Sequence, residues 1–359
     1  MRRRVLFLAP NLEGGGAQKV LRGWVDALVA NGDSVVVAVT DLAEHEIPGA
    51  EVVLLGGGGR GGIGRKLRGV SALARDSDVV IALMPYWNLL AIVGSLLIGR
   101  GNRPRVVISE HTMLYAHRAR SMHLADRLKV RVARLLYRRA DALVAVSHSV
   151  AAEMISAYRV EPEKIWVVPN ACIADVTLPT QVQAVSPDDE LALLFAGRLV
   201  PEKTPGLVLA VAGRLAARGI PVRVHFFGAG PLQDDLTSLA REAGIAVEFH
   251  GMVHEWWQRA PSTGVILLPS SIEGFGNVLV EAAAAGIPAV ASSRALGVAD
   301  AILDGVTGIL VPSHSPDALA HAVVLARSLR PIPDVRGWLR KFTPAAVAER
   351  LEELLEAVS

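Results

Sequence analysis

The chain has 359 residues, of which 51% are hydrophobic, with 33 glycines, 20 prolines and a formal net charge of +2. That length holds two ordinary domains, and the balance excludes a disordered, collagenous or disulfide-stapled protein. Its single cysteine, Cys172, excludes an internal disulfide and a cysteine-built metal cluster, so a reducing, cytoplasmic compartment is expected. The charge is unevenly spread: +8 through residue 170 (23 Lys+Arg against 15 Asp+Glu) and −6 beyond it (14 against 20). The first half is therefore expected to meet something anionic.

The opening, MRRRVLFLAPN, is positively charged, but its apolar run is shorter than the roughly 7–15 residues of a secretory core segment. A first β-strand at 5–9 is expected instead. Further short apolar runs at 34–39, 79–83, 105–108, 142–146 and 165–168 alternate with amphipathic stretches, the spacing of a doubly wound parallel sheet. The uncharged stretch 79–99 is nominally long enough to span a bilayer. Pro85 and Asn88 divide it, and a buried strand followed by a buried helix is expected.

A polar linker is expected at 176–190, closing a first domain of 1–175. The strand pattern then restarts at 191–196, 222–227, 247–250, 265–268 and 289–291, giving a second Rossmann-like domain over 191–342. The tail, PAAVAERLEELLEAV, reads as an amphipathic helix within 343–359 that packs back on the first domain. The fold class is thus α/β, with two doubly wound domains facing across a cleft lined by loops after strands.

Gly14, Gly15 and Gly16 open the first helix, where bare backbone amides can approach a phosphate or sugar; a flexible turn is the alternative. The glycine run at 56–64 reads as a mobile loop. Asp76-Ser77-Asp78 has the spacing of a metal-binding pair but precedes a strand, at the end of the sheet away from the cleft, and reads as solvated. No metal and no cofactor are expected. His111 stands near a strand end, where a lone histidine is ordinarily structural.

Residues 115–139 hold eight Lys/Arg against one acid. On a helix Arg120, Arg127, Arg131, Arg134 and Arg138 share one face, with Leu124, Leu128, Val132 and Leu135 beside it. Such a helix either packs by its Leu/Val face or, the favoured reading, lies on anionic lipid or grips a lipid diphosphate. It lacks interleaved aromatics, so nucleic acid is not an expected partner.

In the second domain, Arg198 and Lys203 follow the first strand on a turn holding two prolines. They could balance a diphosphate or be two solvated cations. In SSIEGFGNVLVEAAAAGIP, Asn277 is expected to cap a helix whose start exposes the amides of Gly274, Phe275 and Gly276 to an anion. Glu281 leans back toward that helix start, and Glu273 flanks it from the other side. Carboxylates beside a phosphate suggest a ligand with hydroxyls on both sides of it, the layout of a nucleotide sugar.

GRLVPEK, FFGAGP, PSSIEGFGNVLVEAAAAGIPAVAS and ILDGVTGILVP resemble the donor-domain signatures of the retaining family-4 glycosyltransferases of GT-B fold. GGAQKV resembles that family's N-terminal glycine loop, and VVPNA its interdomain approach. The resemblance implies that Arg198 and Lys203 bind the donor diphosphate and stabilise the leaving group. It implies that Glu281 holds ribose hydroxyls and Glu273 donor-sugar hydroxyls. Gly228 and Gly274 to Asn277 supply donor contacts, Gly15 and Gly16 close over the phosphate, and His111 stands beside the sugar. Retention implies that the departing phosphate accepts the acceptor's proton, with Glu273 positioning rather than attacking.

The chain departs from the family pattern at Gln18-Lys19, where Glu-Arg is usual, at Ala171, usually glycine, and in SSRALGVADAI. The implied function is transfer of a hexose from a nucleotide diphosphate sugar, a UDP-sugar for preference, to a lipid-linked saccharide in envelope polysaccharide assembly. Expected partners are the donor, that acceptor and the inner face of the cell membrane, held peripherally. A soluble small-molecule acceptor and a non-catalytic sugar-nucleotide binder are the alternatives.

Overall fold

A computed structural model describes residues 2–12, 16–40, 46–55, 62–113, 124–174, 176, 189–329 and 335–359. Gly14, Gly15, Arg120, residues 56–61 of the glycine run, nearly all of the expected linker, and the side chains of Leu124 and Leu128 lie outside the described residues.

The chain divides into two compact units, Met1–Ala171 with Pro344–Ser359, and Cys172–Thr343. Unit 1 holds β1 (Arg4–Leu8), α1 (Gly16–Ala30), β2 (Ser34–Val39), β3 (Ala50–Leu54), α2 (Ile63–Arg75), β4 (Val79–Leu83), α3 (Pro85–Leu96), β5 (Arg105–Glu110), α4 (Leu124–Leu136), β6 (Ala142–Ala145), α5 (His148–Ser156) and β7 (Ile165–Val167). Its seven strands run parallel in the order β3-β2-β1-β4-β5-β6-β7. Strand β4 is buried along its whole length, as a central parallel strand covered on both faces must be.

Unit 2 holds β8 (Leu191–Ala196), α6 (Gly206–Ala216), β9 (Val222–Phe227), α7 (Gln233–Ala243), β10 (Ala246–Gly251), β11 (Gly264–Leu268), α8 (Asn277–Ala284), β12 (Ala289–Ser292), β13 (Gly308–Val311), α9 (Pro316–Ala326) and α10 (Val335–Leu339). Its six strands are parallel in the order β10-β9-β8-β11-β12-β13. Both sheets reverse direction once, between β1 and β4 and between β8 and β11. Loops leaving the carboxyl ends of such strand pairs diverge and leave a crevice for a ligand.

The last helix, α11 (Pro344–Val358), belongs to unit 1. Its apolar stripe of Val347, Leu351, Leu354 and Leu355 joins Trp24, Val25 and Leu28 of α1 in one core under β1, β2 and β4. The unit boundary falls slightly before the expected one, because the Cys172 amide donates to the Phe342 carbonyl at 2.9 Å and ties that residue to unit 2.

Two strands were not anticipated. Both β3 and β13 are sheet edges, short and only partly buried. In the 79–99 stretch Pro85 alone makes the division; Asn88 lies inside α3, where its buried amide donates to the Ser109 carbonyl (3.0 Å) and to Glu110 (2.9 Å). No helix among the described residues is long and apolar enough to cross a membrane.

Candidate active site

The loops after β8 and β11, at the reversal of the second sheet, are joined to each other. After β8 the chain turns at Gly197 and passes Arg198, which is exposed, to the short 3₁₀ turn Pro201–Lys203. Thr204 then adopts a left-handed conformation (φ 45°), costly for a β-branched residue, with its hydroxyl donating to the Pro269 carbonyl. The Ser271 amide and hydroxyl both reach the Glu202 carbonyl, at 2.9 and 3.0 Å. This lacing brings the Lys203 ammonium onto Glu273 Oε1 as an ion pair, and the buried Ser270 hydroxyl donates to the same oxygen at 2.7 Å. Glu273 is only 8% exposed, so its charge depends on these partners.

Beyond Glu273 the backbone is buried through Gly274, Phe275 and Gly276. Among the described residues the amides of these three find no acceptor. They precede the amino end of α8, where a helix presents partial positive charge, so the turn suits an anion. The cap differs from expectation. Gly276 occupies the cap position with φ 100° and Asn277 is the first helical residue, because the sharp turn needs a left-handed residue and only glycine takes it without strain. A methyl group on Gly276 would also sit 3.3 Å from Leu279 Cδ1.

Glu281, one turn further on, is half-buried, and its Oε2 accepts the indole N–H of Trp256 at 2.7 Å. Gly228 packs so closely that a side chain would overlap the Gly197 carbonyl oxygen, and the Leu199 amide donates to Ala229 at 3.0 Å. The GAGP turn is thereby fixed against the Arg198 loop. Two contributors escaped the sequence reading. Trp256 reaches Glu281 from a different segment, and Gly297 packs flat on the Glu273–Gly274 peptide, where any side chain would overlap both carbonyl oxygens. Gly297 lies in SSRALGVADAI, the stretch that departs from the family pattern, and its position gives that stretch a site-facing role.

In unit 1, Gly16 is the exposed first residue of α1, whose start is tied to the preceding loop by Gln18 to Asn11 (3.1 Å) and Arg22 to the Leu12 carbonyl (3.3 Å). His111 follows β5, with Nε2 3.0 Å from Ser109 Oγ and a buried Nδ1 without a partner among the described residues. Burial lowers its pKa to about 4, so the ring is neutral at neutral pH. The neighbouring Glu110 is buried and takes hydrogen bonds from Tyr137 and Asn88; burial pushes its pKa up to about 7, with those bonds opposing. An acid closing an otherwise apolar strand was the signal that could have found it. Asp76 and Asp78 are exposed, and Asp78 accepts the Arg4 amide at 2.7 Å.

On α4, Arg127 and Arg131 are exposed and Arg134 half-buried. Of the Leu/Val face, the two side chains described, Val132 and Leu135, are 39% and 65% exposed, while Ala133 is buried. Apolar and cationic side chains therefore share its outer surface.

A model of Glycosyltransferase Family 4 matches residues 14–175, and one of Glycosyl transferases group 1 matches residues 180–331. The chain belongs to the family-4 type glycosyltransferases. This glycosyltransferase-family chain is 36% identical over 209 residues to the D-inositol 3-phosphate glycosyltransferase of Streptomyces scabiei, covering 52% of this chain and 46% of that one. It spans about half the length of the curated relatives it matches. The Anabaena protein HepE, solved with UDP-glucose, superposes with a TM-score of 0.78 at 17% identity, over 99% of this chain and 100% of that one. The lipopolysaccharide outer core galactosyltransferase WaaB gives 0.75 at 18%, over 99% of each chain. These likenesses show the GT-B fold.

Proposed function

We propose that this family-4 type protein transfers a hexose, with retention, from a nucleotide diphosphate sugar to an acceptor hydroxyl. The carrying observation is the convergence, where the strand order of the second sheet reverses, of Lys203, Glu273 and three glycine-turn amides without acceptors among the described residues. The amides and Lys203, with Arg198 from the same loop, bind the diphosphate, and two fixed cations balance its charge as the bond breaks, without a metal ion. Glu281, oriented by Trp256, takes ribose hydroxyls. Glu273 takes hydroxyls of the sugar, and Gly228, Phe275 and Asn277 shape the donor contacts. For unit 1 we retain only the roles that the family resemblance implies, His111 for the sugar and Gly15 and Gly16 for the phosphate, with Gly15 outside the described residues.

In the reaction the bond from the anomeric carbon to the phosphate oxygen breaks, and the acceptor oxygen forms the new bond on the same face. The acceptor's proton passes to the departing phosphate. Glu273 stays a positioning and electrostatic group, since it is engaged by Lys203 and Ser270.

A UDP-sugar is the favoured donor, in keeping with the UDP-glucose held by HepE. The favoured acceptor is a lipid-linked saccharide of the cell envelope, met at the cytoplasmic face of the membrane. Supporting this, α4 carries exposed Leu135 and Val132 beside exposed Arg127 and Arg131, a surface suited to anionic lipid. A soluble phosphorylated polyol is the second reading, favoured by the name of the Streptomyces relative. The deciding experiment for the donor site is a thermal-shift and turnover screen of UDP-, GDP- and ADP-sugars on wild type and Lys203→Ala. Stabilisation and hydrolysis or transfer by wild type alone supports the assignment. Equal turnover by the variant overturns it.

A further inference from the structure

Unit 2 carries a second group of convergent polar side chains, none of them among the donor-site residues above. Alternation along β9 and β10 sends Val224, Phe226, Val247 and Phe249 into the core of the unit, so His225 and Glu248 occupy the opposite face. Strand β10 is the sheet edge. In the parallel ladder Glu248 lies beside His225 and Phe249 beside Phe226, but Gly251, not His250, lies beside Phe227. His250 is thus the extra residue of a bulge, a device that re-aims a side chain. Its ring lies nearly parallel to those of His225 (centroids 5.4 Å apart) and Phe227 (4.4 Å apart).

The bulge brings three potential ligand atoms together. His225 Nδ1 and His250 Nε2 are hydrogen-bond partners at 3.1 Å, through a proton that a bound cation would displace, and Glu248 Oε2 lies 3.7 Å from the first and 3.9 Å from the second. In a tetrahedral zinc site, bonds of about 2.0–2.1 Å place neighbouring ligand atoms roughly 3.3–3.4 Å apart. The three separations bracket that spacing. The other carboxylate oxygen, Glu248 Oε1, is held 3.4 Å from Arg223, which is itself paired with Glu190 at 3.1 Å. This outer pair leaves Oε2 turned toward the rings, the orienting role that partners of metal ligands perform.

We propose that His225, Glu248 and His250 form a three-ligand site for a zinc(II) ion, the fourth position being taken by water. Two nitrogens and one carboxylate oxygen are a ligand set zinc accepts with one position open. The ion would cross-link the outermost strand pair, β9 to β10. The ion would take no part in the proposed transfer chemistry, although His250 packs on Phe227 and Phe227 packs on Trp256, the partner of Glu281.

The test uses the full chain, stripped with EDTA and dialysed against zinc chloride alone, with bound zinc measured by atomic absorption and melting temperature followed in parallel. Wild type is expected to retain one zinc per chain and to melt higher with it. His250→Gln, at a half-buried bulge position, should lose that zinc and its thermal response. Glu248→Gln, exposed and near-isosteric, should weaken binding by a factor on the order of ten or more while melting like stripped wild type. Failure of wild type to retain zinc overturns the proposal, as does retention by both variants with wild-type affinity.

Discussion

Lys203 and Glu273, seventy residues apart in sequence, form an ion pair across the two loops that diverge from β8 and β11. Glu273 is nearly enclosed, so removing the lysine strands a buried carboxylate on Ser270 alone. Lys203→Ala is expected to lower transfer by on the order of 10²-fold or more, and to cost about 1–3 kcal/mol of stability in chemical denaturation. The double variant Lys203→Met with Glu273→Gln should recover most of that stability and none of the activity. If it recovers both, the pair is only structural.

Glu281 is aimed by the Trp256 indole at 2.7 Å. If its carboxylate binds ribose hydroxyls, Glu281→Gln should raise the donor KM roughly tenfold, since a hydrogen bond to a charged group contributes about 1.5–3 kcal/mol. Trp256→Phe should act in the same direction through the orientation of the same carboxylate. A change confined to kcat would place Glu281 nearer the bond that breaks than the nucleotide.

The pair Glu110 and His111 makes a pH prediction whose two parts oppose each other. Glu110 titrates near 7 in the folded chain against an ordinary 4.5, so between those values folding takes up a proton and stability falls as pH rises. His111 titrates near 4 against an ordinary 6.5, so between those values folding releases a proton and stability rises with pH. Over their shared range the slopes offset. Glu110→Gln removes the first, so the stability of the variant relative to wild type should climb from pH 4.5 to pH 7 in urea titrations. A constant difference across that range would show that Glu110 is not proton-linked.

Leu351 is fully buried where α11 meets α1. Leu351→Ala should cost about 2–5 kcal/mol. The loss should appear in unit 1: hydrogen exchange in β1, β2 and β4 should accelerate, while β8, β9 and β11 keep their protection.

The exposed Leu135 beside Arg131 predicts binding to vesicles of mixed neutral and anionic phospholipid. Flotation should show wild type with the vesicles and Arg127→Glu/Arg131→Glu/Arg134→Glu in the soluble fraction. Wild type remaining soluble would favour the phosphorylated-polyol acceptor.

Central strands were legible in the sequence because burial on both faces leaves a bare apolar run, as in β4 and β8. Strands β3 and β13 were not: each is a short edge strand only partly buried, and Glu51 interrupts the apolar pattern of β3. In the candidate site, residues close in sequence were readable: Glu273, the glycine turn and Glu281 all lie within one loop and helix. Their partners were not, because Trp256 and Gly297 arrive from separate segments and no local spacing links them to Glu281 or to the Glu273 peptide. Asn277 misled as a cap because its side chain suits that role, whereas the backbone there needed a left-handed residue, which Gly276 supplies.

Because α11 completes the core begun by β1 and α1, unit 1 is a discontinuous domain with unit 2 inserted into it. During synthesis every residue of unit 2 leaves the ribosome before Leu351, Leu354 and Leu355 do. Unit 2 can therefore reach its native state while unit 1 still exposes part of the surface of Trp24 and Leu28. Unit 1 spends the interval with only α1 over that part of its core, so chaperone dependence and aggregation on overexpression should trace to unit 1 rather than to unit 2.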